Sequence, residues 1–568
     1  MPALVDLADT RAKTDTIRAH HKALQRSQAN ISLYLNEPGK IGLTRRGRVS
    51  QLDAPKGAFQ QRNNVASTGS LTLPTWHYLA RWIVSIPNDP DQCKNVVIRV
   101  DKYGGLWRWT GLMHHWIKET IDGVPYITAY FNDDLQYLQF TLAPPNPALP
   151  FDIFQWPRDY FLFSPAMWGA SVTLLMNVAR QELNLWQLPD DPFDPAQYVE
   201  GLDTRTWQVH VKCPSFIEDS SLWAVFVSRM NSIDSVIADA LDDAQLSLRY
   251  RRIFTDEGET VTGLLNNDIA NGALVFEIVD RSGFATADGT YLSGNAFAGF
   301  GRSILEWSTD FLTDNYNLIA DDPSLMPDEY WQSGWMQTLA KKPGIVVRDS
   351  VYNDLQSKVT YTLSTASQVV VGGDNPAADA LVQTIISAVG NLLGYFLLAG
   401  FDSAGDIAAD LIMPFLVGTI AAWDQFKNFE RATDAGWAHL WEIMQSGADK
   451  NAWSLSALAV ARGGMNDTKA QTAHTFVIDD GTWLIPGLHY QIGDRLGSFD
   501  GELRKMGQNL MFVNQVEEND FSWDETGKWQ WQTKVGQNKA SMSRGEREAQ
   551  MWKRAMDAIS DIGVHLVS

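Results

Sequence analysis

Ten histidines are scattered along this 568-residue chain, and two adjacent pairs, His20-His21 and His114-His115, place metal-ligating types side by side. Neighbours along a strand or a helix point apart, so neither pair reads as a ready chelate. Gly294-Asn295-Ala296-Phe297-Ala298-Gly299 has the glycine spacing of a phosphate-binding loop, but Phe300 stands where such a loop needs its lysine. Val371-Gly372-Gly373 has the look of a dinucleotide-binding turn. The third glycine is missing, and Asp374 and Asp379 would repel pyrophosphate, so the spacing reads as a plain strand-to-helix turn. The sequence holds no GxSxG elbow, no HExxH pair and no Cys/His cluster at ligand spacing. Carboxylate pairs are plentiful, but a sequence gives no separation between them and hence no support for a glycosidase. No catalytic residue, metal or cofactor is expected, and the chain reads as a structural or binding protein.

The elements that would position any site come from a long acidic chain. Its length predicts about three to five domains. Acidic residues number 67 against 46 basic, a net charge of −21, which argues against a duplex nucleic-acid binder because that function needs a basic footprint. Cys93 and Cys213 stand far apart; whether they pair stays open. The N-terminus lacks the apolar core of a signal peptide, which predicts a protein folded in a cytoplasm. The 22 tryptophans fit large β-rich cores and subunit interfaces, with sugar stacking as the functional alternative.

Residues 1–150 read as short β-branched or aromatic strands separated by turns, and Asp122-Gly123 predicts a hairpin. Residues 151–200 read as an aromatic linker and a helix, with Val172, Leu175, Met176, Ala179 and Leu183 on one side. Residues 201–372 read as a second α+β unit with long loops, its helix carrying Ile233, Ile237, Leu241 and Ala244. Residues 373–465 read as an apolar helical insertion, with further helix at Phe426–Met444 and Ala452–Ala461. Residues 466–540 form a C-terminal β unit with a hairpin at Glu525-Thr526-Gly527, and 541–568 a terminal amphipathic helix. The expected class is α+β and multi-domain: β-barrel or sandwich units with an inserted apolar helical domain.

The insertion is the feature out of character with the rest. From Ala380 to Phe401 the chain has no charge, a length of about 20 residues that could span a bilayer. Leu381, Ile385, Val389, Leu392, Leu393, Phe396, Leu397 and Phe401 make the first apolar segment, and Leu411, Phe415 and Val417 mark a second, shorter one with Pro414. Gly390, Gly394 and Ala399 permit close helix packing. Asp402, Asp406 and Asp410 at four-residue spacing would form one acidic stripe, a solvated face or, if gathered around an axis, a proton-sensitive switch. Three readings follow for the pair: a buried helical domain, an axial plug, or a membrane-active hairpin exposed on triggering.

The order of segments carries a resemblance. Trp107-Arg108-Trp109-Thr110-Gly111 in a β-rich first unit is followed by VFEIVDRSG, VVVGGDNP with apolar helices, LHYQIGDRLGSF, and FSWDETGKWQWQTKVG. Along most of its length the chain resembles the siphovirus minor tail proteins of actinobacterial phages that form the baseplate or tail-tip hub, relatives of the trimeric hub of contractile-tail baseplates. The resemblance implies a virion component assembled in the host cytoplasm, without catalysis of its own. It implies a homotrimer whose two β domains per subunit adapt the hexameric tail tube to a threefold tip and gate the channel for genome ejection. Distal tail protein, tape-measure protein and other tail-tip proteins would be its partners, with DNA only in transit and the host envelope as a further contact. An acidic channel wall would let DNA pass without sticking. The runner-up is a receptor-binding tail protein whose tryptophans stack on cell-wall sugars.

Overall fold

In a computed structural model of the chain, residues 7–536 are described, apart from 151–152, 158–159, 282–283, 287–295, 297–317, 321–337, 341–344, 349–356, 373–422, 445–463, 466–467, 469, 480–483, 508–509 and 527–528. After helix α1 (Leu7–Arg26), the first unit is built from β1 (Asn30–Leu35), β2 (Thr44–Ser50), β3 (Lys56–Phe59), β4 (Thr68–Pro74), helix α2 (Tyr78–Ser85), β5 (Val96–Lys102), β6 (Trp107–Ile121) and β7 (Val124–Asp133). Its strands run β3-β4-β7-β6-β5-β1-β2 across the sheet. Asp122 and Gly123 take φ of +50° and +80° and close the predicted hairpin, with Ile121 paired to Val124. Strand β5 is buried along its whole length rather than on alternate residues, because its second face lies under the next unit.

That second unit contains β8 (Leu142–Ala143), β9 (Tyr160–Pro165), α3 (Ala166–Glu182), α4 (Gln197–Glu200), β10 (Val209–Lys212), β11 (Trp223–Ser228), β12 (Asn231–Ser232), α5 (Ile233–Asp243), β13 (Leu246–Ile253) and β14 (Ala273–Asp280). β14 sits between parallel β10 and antiparallel β13, and α3 and α5 share a core with these strands. The buried residues of α5 include Ile233, Ile237 and Leu241, as its spacing predicts. The face of α3 differs from expectation. Ala170, Thr173, Leu174, Asn177 and Val178 point inward, while Val172, Leu175, Ala179 and Leu183 are half-buried and Met176 is exposed. The reason is close approach: a Cβ at Gly169 would meet Ser164 Oγ at 2.3 Å and Phe226 Cε2 at 2.4 Å, so small and polar residues face the strands. Thr173 Oγ1 and Asn177 Nδ2 donate to the helix carbonyls of Gly169 and Thr173.

The remaining strands are β15 (Phe284–Thr286), β16 (Leu318–Ala320), β17 (Thr338–Ala340), β18 (Val346–Arg348), β19 (Ser357–Thr362), β20 (Ala366–Gly372), β21 (Trp423–Lys427), β22 (Leu440–Met444), β23 (Gln471–Asp479), β24 (Arg495–Phe499), β25 (Leu510–Trp523) and β26 (Trp529–Gly536). Here β25 pairs β3 through Phe521–Phe59, so the C-terminal strands extend the N-terminal sheet as β19-β23-β26-β25-β3. One core holds both, with Trp107, Trp109 and Phe59 beside Phe521, Trp523 and Trp531.

Phe426–Met444, expected to be helical throughout, is helical only in its middle. β21 and β22 flank β20 on either side, and a short helix, Phe429–Asp434, joins them. Pairing with β20, distant in sequence, makes strands of both ends of this segment. Gly372 pairs with Trp423, so the chain leaves and re-enters the apolar stretch 373–422 at the tip of one antiparallel hairpin. Cys93 and Cys213 are free thiols. Ala452–Ala461 and the terminal helix expected at 544–562 lie outside the described residues.

Candidate functional site

The apolar residues Leu381 to Val417 and the stripe Asp402, Asp406 and Asp410 also lie outside the described residues, as does nearly all of the 294–299 glycine loop. His114 and His115, expected to point apart, meet instead. A β-bulge between Met113 and His115 rotates the strand, bringing the two Nδ1 atoms to 2.8 Å while His115 stacks on Tyr130 at 4.6 Å. At that separation one ring donates and the other accepts. Among the described residues no group of three His, Cys, Asp or Glu could hold a metal.

What the fold does bring together is an ionic joint between the two units. Arg108 on β6 donates from Nε to Asp101 Oδ1 at 2.6 Å and from both terminal nitrogens to Glu259, at 2.7 and 2.8 Å. The same guanidinium donates to the Arg252 carbonyl at 3.0 Å. Beside it Arg99 on β5 donates to Asp101 at 2.7 Å and to Tyr34 Oη at 3.0 Å, and its Nη2 lies 2.8 Å from Glu257. Both guanidinium groups cover the Phe254 ring, at 4.5 Å for Arg99 and 5.5 Å for Arg108. Strands β5 and β6 supply the first pair of arginines, while the turn after β13 supplies Phe254, Glu257 and Glu259. Burial works against the charge on Glu259, yet the paired bonds from Arg108 overcome it and hold the carboxyl at about 2.

A second contact lies deeper. Arg252 on β13 donates to both oxygens of Asp134, at 2.7 and 2.9 Å, and to the carbonyl of Gly272 at 3.0 Å. Asp134 follows β7, so this pair ties the last strand of the first unit to the second. Asn64, at φ +57°, adds a seam in which its side-chain amide takes the place of a neighbouring strand. It donates to Leu246 O at 2.8 Å and accepts from Leu248 N at 2.7 Å.

Near that seam the carboxyl groups behave oppositely. β25 carries a bulge between Val516 and Glu518, which turns Glu517 toward Asn63 and Asp242. Burial, then repulsion from Asp242, pushes Glu517 up to about 8. Burial and Glu518 raise Asp520 to about 7. On β7, burial raises Asp133 to about 7 although Ser67 donates to it. These folded-state values lie above the unfolded ones of about 4, so folding favours the protonated form. Stability from this set is therefore fully present below about pH 4 and lost as pH rises through 7 to 8. The denaturation midpoint is expected to fall between pH 5 and pH 9, and Glu517→Gln to flatten that slope; an equal slope in the variant would remove Glu517 from the account. Glu259 has the opposite sign, with stability present above about pH 4 and lost as pH falls through about 2.

The arrangement is a set of buried and half-buried ion pairs between the two units. It clamps β-rich units together, which defines the class: a multi-domain α+β protein, mostly of β-sheet. The chain belongs to the Siphovirus ReqiPepy6 Gp37-like protein family, a siphovirus tail-protein family, whose model matches residues 40–537. It is 27% identical over 520 residues to minor tail protein Gp28 of Mycobacterium phage L5, covering 83% of this chain and 85% of that protein. Gp28 of Mycobacterium phage D29 is 26% identical over 522 residues, with 83% and 85% covered. Among solved structures, a tail protein from Neisseria meningitidis MC58 aligns with a TM-score of 0.40 at 9% identity, covering 90% of this chain and 97% of that one. Prophage tail protein gp18 from Listeria monocytogenes EGD-e aligns at 0.36 and 8%, covering 93% and 100%.

Proposed function

We propose that this phage minor tail protein is a baseplate hub, an adaptor between the hexameric tail tube with its distal tail protein and a threefold tip, and a gate for genome ejection. It acts as a homotrimer in the virion, contacts tape-measure and other tip proteins, meets DNA only in transit, and performs no catalysis. The observation that carries the reading is the long sheet running from β19 to β2. Among the described residues both terminal strands lack an outer partner. Open edges of this kind are covered in a working protein, and a ring of copies is one way to cover them. Imaging the purified chain and the virion tests it: a threefold ring at the tail tip is expected, and a monomer placed elsewhere on the particle would end the reading.

One observation favours a second reading, a tail protein that binds cell-wall carbohydrate. Trp76, Trp156, Trp186, Trp437 and Trp441 are all exposed, Trp437 fully. Exposed indoles stack on sugars as readily as on protein. Tight saccharide binding on a glycan array would move the assignment there.

The apolar stretch 373–422 takes a place in the hub proposal as a buried or axial element. The strand residues that bracket it, Gly372 and Trp423, pair with each other. Among the described residues no helix is long and apolar enough to cross a membrane.

A further inference from the structure

One surface of this acidic chain has the opposite charge. Strand β2 reads Thr-Arg-Arg-Gly-Arg-Val-Ser and ends the long sheet. Its register with β1 slips between Leu33 and Tyr34, so Arg46 is the extra residue of a bulge, and its guanidinium lies 5.7 Å over the Trp82 ring of α2. Helix α2 rests directly on the strand at Gly47, where a Cβ would meet Tyr78 Oη at 2.2 Å. Tyr78 donates to Arg48 O at 3.4 Å, and Arg81 Nε donates to Thr75 O at 3.3 Å. The result is an outward patch of Arg46 and Arg81 with exposed Trp76 and Tyr78, while Arg48 turns its side chain to the opposite face of the sheet. Arg46 and Arg81 have no salt bridge among the described residues, and Arg48 shares its carboxylate, Glu257, with Arg45 and Arg99. In a chain of net charge −21, such a cluster of arginine and aromatic side chains is the composition of a protein-binding surface.

A complementary surface exists on the same chain, in the second unit. After α3, the loop 188–203 carries Asp190, Asp191, Asp194 and Glu200, none with a salt-bridge cation among the described residues. Between them stand exposed Leu188, Phe193, Tyr198, Val199 and Leu202, with Phe193 94% exposed. The loop is shaped in advance: Asp191 accepts from Phe193 N, Asp194 from Ala196 N, and Tyr198 donates to Pro192 O. A preformed loop that exposes aromatics over no core of its own loses little entropy on docking. No hydrogen bond or salt bridge joins loop and patch within the chain among the described residues.

We propose that the Arg46–Arg81 patch on β2 and α2 of one copy seats the acidic loop 188–203 of a second copy. The contact is head-to-tail, since it uses two different surfaces of each chain, and such a contact closes into a ring when its rotation permits. It rests on the homo-oligomeric part of the hub reading and adds to it which surfaces meet. Charge complementarity selects the occupant, because the loop sets carboxylates that have no salt bridge among the described residues beside exposed aromatic side chains, the counterpart of arginines that have none either.

The test uses the full chain and its self-association by sedimentation. Arg46→Glu with Arg81→Glu is expected to weaken association by about tenfold or more, as is Asp191→Lys with Asp194→Lys. All four substitutions in one chain restore the opposition of charge and are expected to return association to near the wild-type value, which a folding defect would not do. Wild-type association should also weaken as salt rises from 0.05 to about 0.5 M. If wild type associates but neither half-swap weakens it, or the combined variant stays weak, the assigned contact is wrong while the hub reading stands. A wild-type chain that remains monomeric overturns both. Half-swaps that leave self-association intact and instead lose binding to a tail partner or to anionic polymer overturn the second copy as occupant.

Discussion

Arg252→Ala is expected to destabilise the folded chain by about 3–5 kcal/mol, the cost of leaving one member of a buried ion pair without the other. Both side chains are shielded, 3% exposed for Arg252 and 0% for Asp134. The guanidinium also holds the Gly272 carbonyl and reaches Tyr137 Oη at 3.3 Å, so truncation takes a donor from three groups at once; Thr110 still donates to Asp134 and Gln208 to Tyr137. Arg252→Lys keeps the charge but loses the planar fork that meets both oxygens of Asp134, and an intermediate loss is expected. The discriminating variant is Arg252→Met with Asp134→Leu, which removes both charges and is expected to cost less than Arg252→Ala. Urea unfolding of the four chains measures this. A loss below about 1 kcal/mol for Arg252→Ala would mean water enters the joint and screens the charge.

Local patterns were legible in the sequence and long-range ones were not. Strands β1, β4, β5 and β7 were readable because each carries its own β-branched or aromatic run, and the hairpin at Asp122-Gly123 because two residues specify it. Helix α5 was readable from Ile233, Ile237 and Leu241. Helix α1 was not, since Ile17 is exposed and no apolar stripe runs along its length. Helix α2 hid among strands because Trp82, Ile83 and Val84 favour strands as much as helices. β22 looked helical until its pairing with β20 came into view. The ionic joint left a single local trace, Arg252 at a strand position that the alternation of Leu246, Leu248 and Tyr250 would fill with an apolar side chain; Arg99 and Asp101 alternate with Ile98 and Val100 and read as an ordinary polar face. The partners in the joint stand far away along the chain, Glu259 for Arg108 and Asp134 for Arg252, and no spacing rule links them. The same holds for β3 and β25, whose pairing makes the first and last strands of the chain one sheet.

That shared sheet gives the other large effect. Trp531 on β26 is 1% exposed, and it packs edge-on to Trp107 at 5.1 Å and against Phe521 at 4.8 Å. Its Nε1 donates to Tyr103 Oη at 2.8 Å, so an indole near the C-terminal end of the sheet anchors the turn between β5 and β6. Trp531→Ala is expected to cost about 3–5 kcal/mol through lost burial and the cavity left behind. Trp531→Phe keeps most of the ring and should lose about 1 kcal/mol with the hydrogen bond, plus a smaller cavity term. The place where protection is lost carries the argument. If the strands from both ends of the chain are one cooperative unit, amide exchange in Trp531→Ala should accelerate in β5 and β6 as well as in β23 and β26. Acceleration confined to 471–536 would show that the C-terminal strands open alone. The β3–β25 contact would then be a docking seam between two bodies, and the open edges that support the ring reading would belong to two shorter sheets.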